Sequence, residues 1–265
     1  MTGARGIILK SAREIELMRR AGSVVAAVHA RVREMARPGA TTGELDAVAE
    51  EIIDAAGGTA LFKGVENPQA RMPFPAALCT SVNEEVVHGI PGSRSLRDGD
   101  LLSVDCGVRL DGYCGDAAAT VAIGEVSKAS AHLVSVTQGA LDLAIREIRP
   151  GRMWSEIAAS IQRFVEREHL SVVREFVGHG IGRDMHEEPK VPNFWDRGQR
   201  QADFRLLANM VIAVEPMVNM GSAAVGYGDK AGWVVVTRDG RRSAHFEHTI
   251  AVTQTGADVL TDGRG

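Results

Sequence analysis

Arg149-Pro-Gly-Arg-Met-Trp-Ser-Glu156-Ile157 repeats the pattern of Arg37-Pro-Gly-Ala-Thr-Thr-Gly-Glu44-Leu45: Arg-Pro-Gly, four residues, then an acid and an aliphatic residue. In both places an amphipathic stretch stops at Pro-Gly and another begins around the acid, so each motif reads as the joint of a helix pair. Upstream of the first, Ser11-Ala-Arg-Glu14 is a capping box that opens a helix with Ile15, Met18, Ala21, Val25 and Val28 on one face. Thr41-Thr-Gly-Glu44 is a second capping box, and the helix it leads runs from Leu45 to Ala56 before Gly57-Gly58. Residues 127–148 and 154–168 give the second pair. The echo extends further. Val87-His-Gly-Ile90 returns as Gly178-His-Gly-Ile181, a strand ending in Asp105 as one ending in Glu215, and a strand carrying Asp116 as one carrying Glu247. Four echoes in one order indicate a duplicated α/β unit, with halves at about 11–124 and 125–253 of a single domain over 1–265.

Around Asp111-Gly112, Leu101 to Arg109 and Tyr113 to Ile123 are rich in β-branched and apolar residues, which predicts a β-hairpin. Residues 59–77, with Pro68, Pro73 and Pro75, read as a loop and Leu78 to Val87 as extended chain. Further strands are expected at Val172 to Val177, Met210 to Val218, Trp233 to Thr237 and His245 to Val252.

Composition narrows the function classes. The chain has 265 residues, 45% hydrophobic and 24% charged, the balance of an ordinary globular domain, and needs no structural metal to complete its core. A net charge of −4 supplies no basic field for nucleic-acid binding. No stretch approaches the roughly 20 apolar residues of a membrane span, and Met1 to Lys10 lacks a secretory signal. Cys79, Cys106 and Cys114 are too few for a disulfide framework, so a reducing, cytoplasmic setting is expected.

The chemistry lies in carboxylates set into apolar strands: Asp105 after Leu101-Leu-Ser-Val104, Asp116 before Ala117-Ala-Ala-Thr-Val, Glu215 in Val211-Ile-Ala-Val-Glu-Pro-Met-Val218, and Glu247 in Phe246-Glu-His-Thr-Ile. Asp105 and Asp116 alone read equally well as a turn cap and a solvent-facing residue. Four such cases do not, because an unpaired buried carboxylate costs several kcal/mol. Two divalent cations fit four converging carboxylates best. His179, flanked by Gly178 and Gly180, His186 in Met185-His-Glu-Glu-Pro189, and His88 in Val87-His-Gly are candidate ligands or hydrogen-bonding groups. His29, His132 and His169 read as ordinary surface or satisfied core residues. Pro189 excludes a His-Glu-x-x-His helix, no Gly-x-Ser-x-Gly or Walker motif occurs, and Gly178-His-Gly-Ile-Gly-Arg183 is not a dinucleotide fingerprint.

Taken together, Asn83-Glu-Glu-Val-Val-His-Gly-Ile-Pro91, Asp105 with Asp111-Gly-Tyr-Cys-Gly-Asp116, Gly178-His-Gly-Ile-Gly182 with His186-Glu-Glu-Pro189, Ile212-Ala-Val-Glu-Pro-Met217 and Ser243-Ala-His-Phe-Glu-His-Thr249 resemble type I methionine aminopeptidase. The likeness runs from about Ile8 to Thr261. It implies the α/β (α+β) pita-bread fold: two pseudo-symmetric halves around a mostly antiparallel curved sheet, helices outside. It also implies removal of N-terminal methionine from polypeptides when the second residue is small. By resemblance Asp105, Asp116, His179, Glu215 and Glu247 are the ligands of two metal ions (Co, Mn, Fe or Zn), with Asp116 and Glu247 touching both. His88 and His186 match the histidines that contact substrate. Phe74, Cys79 and Trp233 match positions around the methionine pocket, and Met185 stands beside them where the family usually has Phe. Cys114 replaces a frequent His, Ala117 a frequent Thr, and the 63–75 loop is longer than in the shortest members. The implied partners are polypeptide N-termini beginning with Met, with the ribosome a further candidate, acting on a monomer that meets neither membrane nor nucleic acid.

The expected mechanism is metal-assisted peptide hydrolysis. Glu215 acts as general base, and His88 and His186 hydrogen-bond the scissile amide or its developing charge. An Xaa-Pro peptidase on the same fold is the first rival, although those enzymes carry an additional N-terminal domain. A binding module on this fold is the second, although every ligand position here is filled. A type II enzyme is disfavoured, because His186 and Glu215 stand too close in sequence for its extra helical subdomain.

Overall fold

The computed structural model describes residues 6–264. Its helices are α1 (Ala12–Met35), α2 (Thr42–Ala55), α3 (Lys128–Glu147) and α4 (Trp154–Arg167), and they pack as two pairs, α1 on α2 and α3 on α4. Both capping boxes form: Ser11 and Thr41 each accept the N–H three residues on, and Glu14 and Glu44 each reach back to the cap amide. α4 has no cap side chain of its own. Asp203 supplies one, its carboxylate accepting the Ser155 N–H at 3.0 Å. Beside it Trp154 is buried, donates its indole N–H to the Pro192 carbonyl and stacks on Phe204 with ring centroids 6.0 Å apart.

The hairpin pairs in unbroken register from Leu101 opposite Ala122 to Leu110 opposite Tyr113, turning through Asp111 and Gly112, both at positive φ. Leu78–Val82 and Thr59–Ala60 also pair with its first strand. The other half contributes a five-stranded antiparallel sheet ordered Ala257–Val259, His248–Val252, Val211–Val214, Gly178–Gly180 and Glu187–Val191. A three-stranded sheet holds Ser243–His245, Met217–Asn219 and Ser171–Val172, and another holds Val225–Tyr227, Val235–Thr237 and Glu85–Val87.

Several expected strands are divided, and three of the divisions share a cause. Met210 to Val218 breaks at Glu215-Pro216, His245 to Val252 at Phe246-Glu247, and Val172 to Val177 ends at Val172 before pairing resumes at Gly178. In each case the chain passes from the three-stranded to the five-stranded sheet, or back, at the same level. Pro216 has no amide to donate there. Leu78 to Val87 also divides, at Asn83-Glu84, where Asn83 is left-handed. Trp233 to Thr237 shortens to Val235–Thr237, because the Asp229 carboxylate claims the amides of Gly232, Trp233 and Val234 at 3.0–3.1 Å.

One apolar core lies where α1 and α2 cover the hairpin, with Val25, Val28, Leu45, Leu102 and Val104. Another lies under α3 and α4, with Leu133, Ile157, Ile212, Val214, Val218 and Ile250. Besides the pairing of Glu85–Val87 with Val235–Thr237, the halves join along a seam between residues 116–120 and 245–249. Glu247 donates its N–H to the Ala118 carbonyl at 2.8 Å and accepts the Ala118 N–H at 3.4 Å. On either side a threonine extends the pairing. The Thr249 hydroxyl accepts the Asp116 N–H and donates to the Asp116 carbonyl, and the Thr120 hydroxyl does the same for His245.

Candidate active site

A cavity of about 340 Å³ opens where the seam meets the strand breaks, and no helix residue lines it among the described residues. Every side chain singled out from the sequence does: Phe74, Cys79, His88, Asp105, Asp116, His179, Met185, His186, Glu215, Trp233 and Glu247.

The hairpin register explains the first two acids. Asp116 stands opposite Gly107, and Asp105, two residues before Gly107, shares its face, so both carboxylates enter the cavity. Glu215 and Glu247 occupy strand breaks, where the side chain can turn into the cavity while the flanking residues remain in their sheets. His179 is set by its glycines. A Cβ on Gly178 would lie 2.3 Å from the Ala213 carbonyl oxygen and one on Gly180 2.2 Å from that of Glu188, so only glycine lets the neighbouring chains approach this closely. His179 Nδ1 bonds the Gly180 carbonyl at 2.9 Å, which leaves Nε2 facing Glu215 Oε1 at 3.6 Å. Ligand atoms of Asp116, His179 and Glu247 lie within 4.8 Å of one another.

His88 adopts φ 60°, a left-handed conformation rare for a non-glycine residue. Gly89 then pairs with the neighbouring strand through Thr80 N–H and the Ser81 hydroxyl. The imidazole stands edge-on to Phe176 at 5.5 Å and to Trp233 at 6.2 Å. Trp233 also meets Phe74 edge-on at 5.2 Å and donates its indole N–H to the Met72 carbonyl, closing an apolar wall with Cys79 and Met185. His186 approaches His179, ring centroids 4.4 Å apart.

Electrostatics test whether metal fits this donor set. Burial pushes Asp105, Asp116, Glu215 and Glu247 up from the usual carboxylate range, and mutual repulsion adds to this for Asp105, Glu215 and Glu247. Burial lowers His179 and His88 to about 4, with His186 adding to both. Asp105 Oδ1, Asp116 Oδ1 and Glu247 Oε1 have no hydrogen-bond partner among the described residues. A proton shared between Asp105 and Asp116 would relieve part of the repulsion but satisfy only that pair of the four acids. A cation answers both the repulsion and the unpartnered oxygens, and carboxylate oxygens with a neutral imidazole suit divalent first-row metals.

The sequence reading missed His245. It is buried, its Nε2 has no partner among the described residues and lies 3.9 Å from Glu215 Oε2. The available signal was its place two residues before Glu247 in an apolar run. Thr120, Thr249 and Asp229 were missed because nothing local marks them as bridging distant segments.

The metallopeptidase family M24 model matches residues 16–254, so the chain belongs to that family, a metal-dependent hydrolase of pita-bread fold. Within the family its relatives are specific. It is 47% identical to methionine aminopeptidase 1 of Bacillus subtilis, over 96% of this chain and 99% of that one, and 39% identical to the Escherichia coli K12 methionine aminopeptidase, over 96% and 94%. A crystal structure of methionine aminopeptidase from Thermotoga maritima superposes with a TM-score of 0.89 at 40% identity, over 96% and 99%. A prolidase from Pyrococcus furiosus shares the fold at TM-score 0.70 and 20% identity.

Proposed function

We propose that this chain removes the N-terminal methionine from polypeptides whose second residue is small. Asp105, Asp116, His179, Glu215 and Glu247 would hold two divalent ions, with Asp116 and Glu247 the carboxylates placed to serve both. The observation that carries the reading is the meeting of these five side chains in one cavity whose other wall, Phe74, Cys79, Met185 and Trp233, is apolar and polarizable enough for a thioether. Ions in this donor set supply Lewis-acid polarisation of the carbonyl and bring the pKa of water toward neutrality.

The protein groups then have distinct tasks. Glu215 takes the proton of the attacking water. His88 and His186, neutral through burial, hydrogen-bond the scissile amide and the charge that develops on it. The apolar wall orients the methionine side chain and excludes water from it. The metal among Co, Mn, Fe and Zn is set by availability more than by this ligand set. The repeated helix-pair joints and the paired threonines at the seam favour a duplicated α/β unit within one catalytic domain. Three free, buried cysteines suit a reducing cytoplasm, and the chain works as a monomer on nascent N-termini, at or away from the ribosome.

The test is hydrolysis of Met-Ala-Ser against Ala-Pro-Ser by protein loaded with Mn or Co. Cleavage of Met-Ala-Ser carries the reading, and cleavage of Ala-Pro-Ser alone overturns it in favour of an Xaa-Pro peptidase.

A further inference from the structure

A second cavity, of about 110 Å³, adjoins the first. Val177 lines both. Its apolar surfaces are Trp154, Pro192, Trp195, Ala202 and Phe204, and Lys190 and Gln199 also line it. Small-molecule sites usually run to roughly 300–1,000 Å³, so this volume suits a single side chain rather than a free ligand. Its chemistry is apolar. The Asp203 carboxylate, which also lines it, already accepts the amides of Ser155 and Phe204, and the Trp154 indole N–H is committed to Pro192. One side is the stacked Trp154–Phe204 pair at the start of α4. The opposite side is the 3₁₀ turn Arg197–Gln201 and its cap Ala202, which leave Ala202 exposed and Trp195 half-buried.

We propose that this cavity is an accessory subsite for the substrate polypeptide. It takes an apolar side chain, aliphatic or aromatic, from the third or fourth residue of the chain whose N-terminal methionine lies in the catalytic cavity. The inference rests on the proposed aminopeptidase reading. A polypeptide fixed by its first residue must leave past one wall of the cleft, and Val177 is the residue at which the lining of that cleft meets the lining of an apolar depression. The subsite selects by sequence beyond the small second residue. It makes no contact with the reacting atoms, so its effect falls on KM rather than kcat.

The experiment compares Met-Ala-Gly-Gly with peptides carrying Leu or Phe at the third or the fourth position, on metal-loaded enzyme. Wild type should show a KM roughly five- to tenfold lower for Leu or Phe at one of these positions. Ala202→Trp, which fills the cavity from an exposed position, and Trp195→Ala, which removes a wall, should each bring that ratio close to one. The ratio is internal to each enzyme, so a general loss of activity does not alter it. Equal KM values in wild type, or a preference that survives both substitutions, overturns the subsite. Failure to cleave Met-Ala-Gly-Gly at all overturns the aminopeptidase reading, and the subsite with it.

Discussion

Lys10 Nζ lies 2.6 Å from Glu187 Oε2, and both side chains are buried, at 3% and 9% exposure. The other oxygen of Glu187 accepts the N–H of Arg183 at 3.0 Å and that of Asp184 at 3.4 Å. The turn before His186 is thereby tied to the segment that leads into α1. Removing one partner of a buried pair strands the other, at about 3–5 kcal/mol. Lys10→Met should therefore lower unfolding free energy in urea by about that amount and reduce kcat through displacement of His186. Adding Glu187→Gln should restore part of the stability, and a single-variant loss under about 1 kcal/mol would show that the pair is not buried in solution.

His179→Ala should weaken metal binding, read by calorimetric titration, and leave the circular dichroism spectrum of the apo protein unchanged, because neither apolar core includes His179. An unfolded apo protein would mean that the ions hold the fold together.

Glu215→Gln should lower kcat by several orders of magnitude, since one side chain both binds metal and handles the proton. A variant that keeps a tenth of wild-type kcat removes Glu215 from the base role.

Selectivity at the second residue follows from crowding by His88, His186 and the 63–75 loop, whose Val65, Glu66, Asn67 and Pro68 line the cavity. Met-Ala peptides should exceed Met-Leu peptides by roughly a hundredfold or more in kcat/KM, as steric exclusion costs a few kcal/mol and each 1.36 kcal/mol is tenfold. Equal values would mean the site is open on that side.

Acid stability should carry the signature of the first capping box. The Ser11 amide and hydroxyl and the Tyr113 hydroxyl hold Glu14 down from 4.5 to about 2. Such a depressed carboxylate stabilises the fold fully above its unfolded value, and the benefit fades as pH falls from about 4.5 to about 2. Glu14→Gln should thus cost about 1 kcal/mol at pH 7. The gap to wild type should narrow steadily below pH 5 in urea titrations, and a gap independent of pH would detach it from the charge.

The helices and the hairpin were legible because their signals are local: capping boxes, a 3.6-residue apolar period, and Asp-Gly between β-branched runs. The acids were legible because a carboxylate in an apolar run conflicts with burial wherever it occurs. The strand breaks at Glu215-Pro216 and Phe246-Glu247 were not, since a chain that changes sheets keeps the same alternation on both sides of the bend. Ser171–Val172 was mis-set for a related reason, as its pairing partner lies far along the chain, whereas Glu187–Val191 pairs with nearby Gly178–Gly180 but its Glu-Glu-Pro-Lys run carries no strand signal. His245 was not singled out at all, and its place in the site shows only once Glu215 stands beside it.

The seam of Asp116, Ala118 and Thr120 against Thr249, Glu247 and His245 also sets an order of assembly. The hairpin finds its partner strand within the first half, yet the outer edge of Tyr113–Ala122 gains these bonds only when residues 245–249 exist. Thr249 and His245 lie 133 and 125 residues beyond the hairpin positions that they bond. The carboxylate cluster therefore cannot close until residues 245–249 have been made, and a chain that stops short of them is spared a working hydrolytic centre.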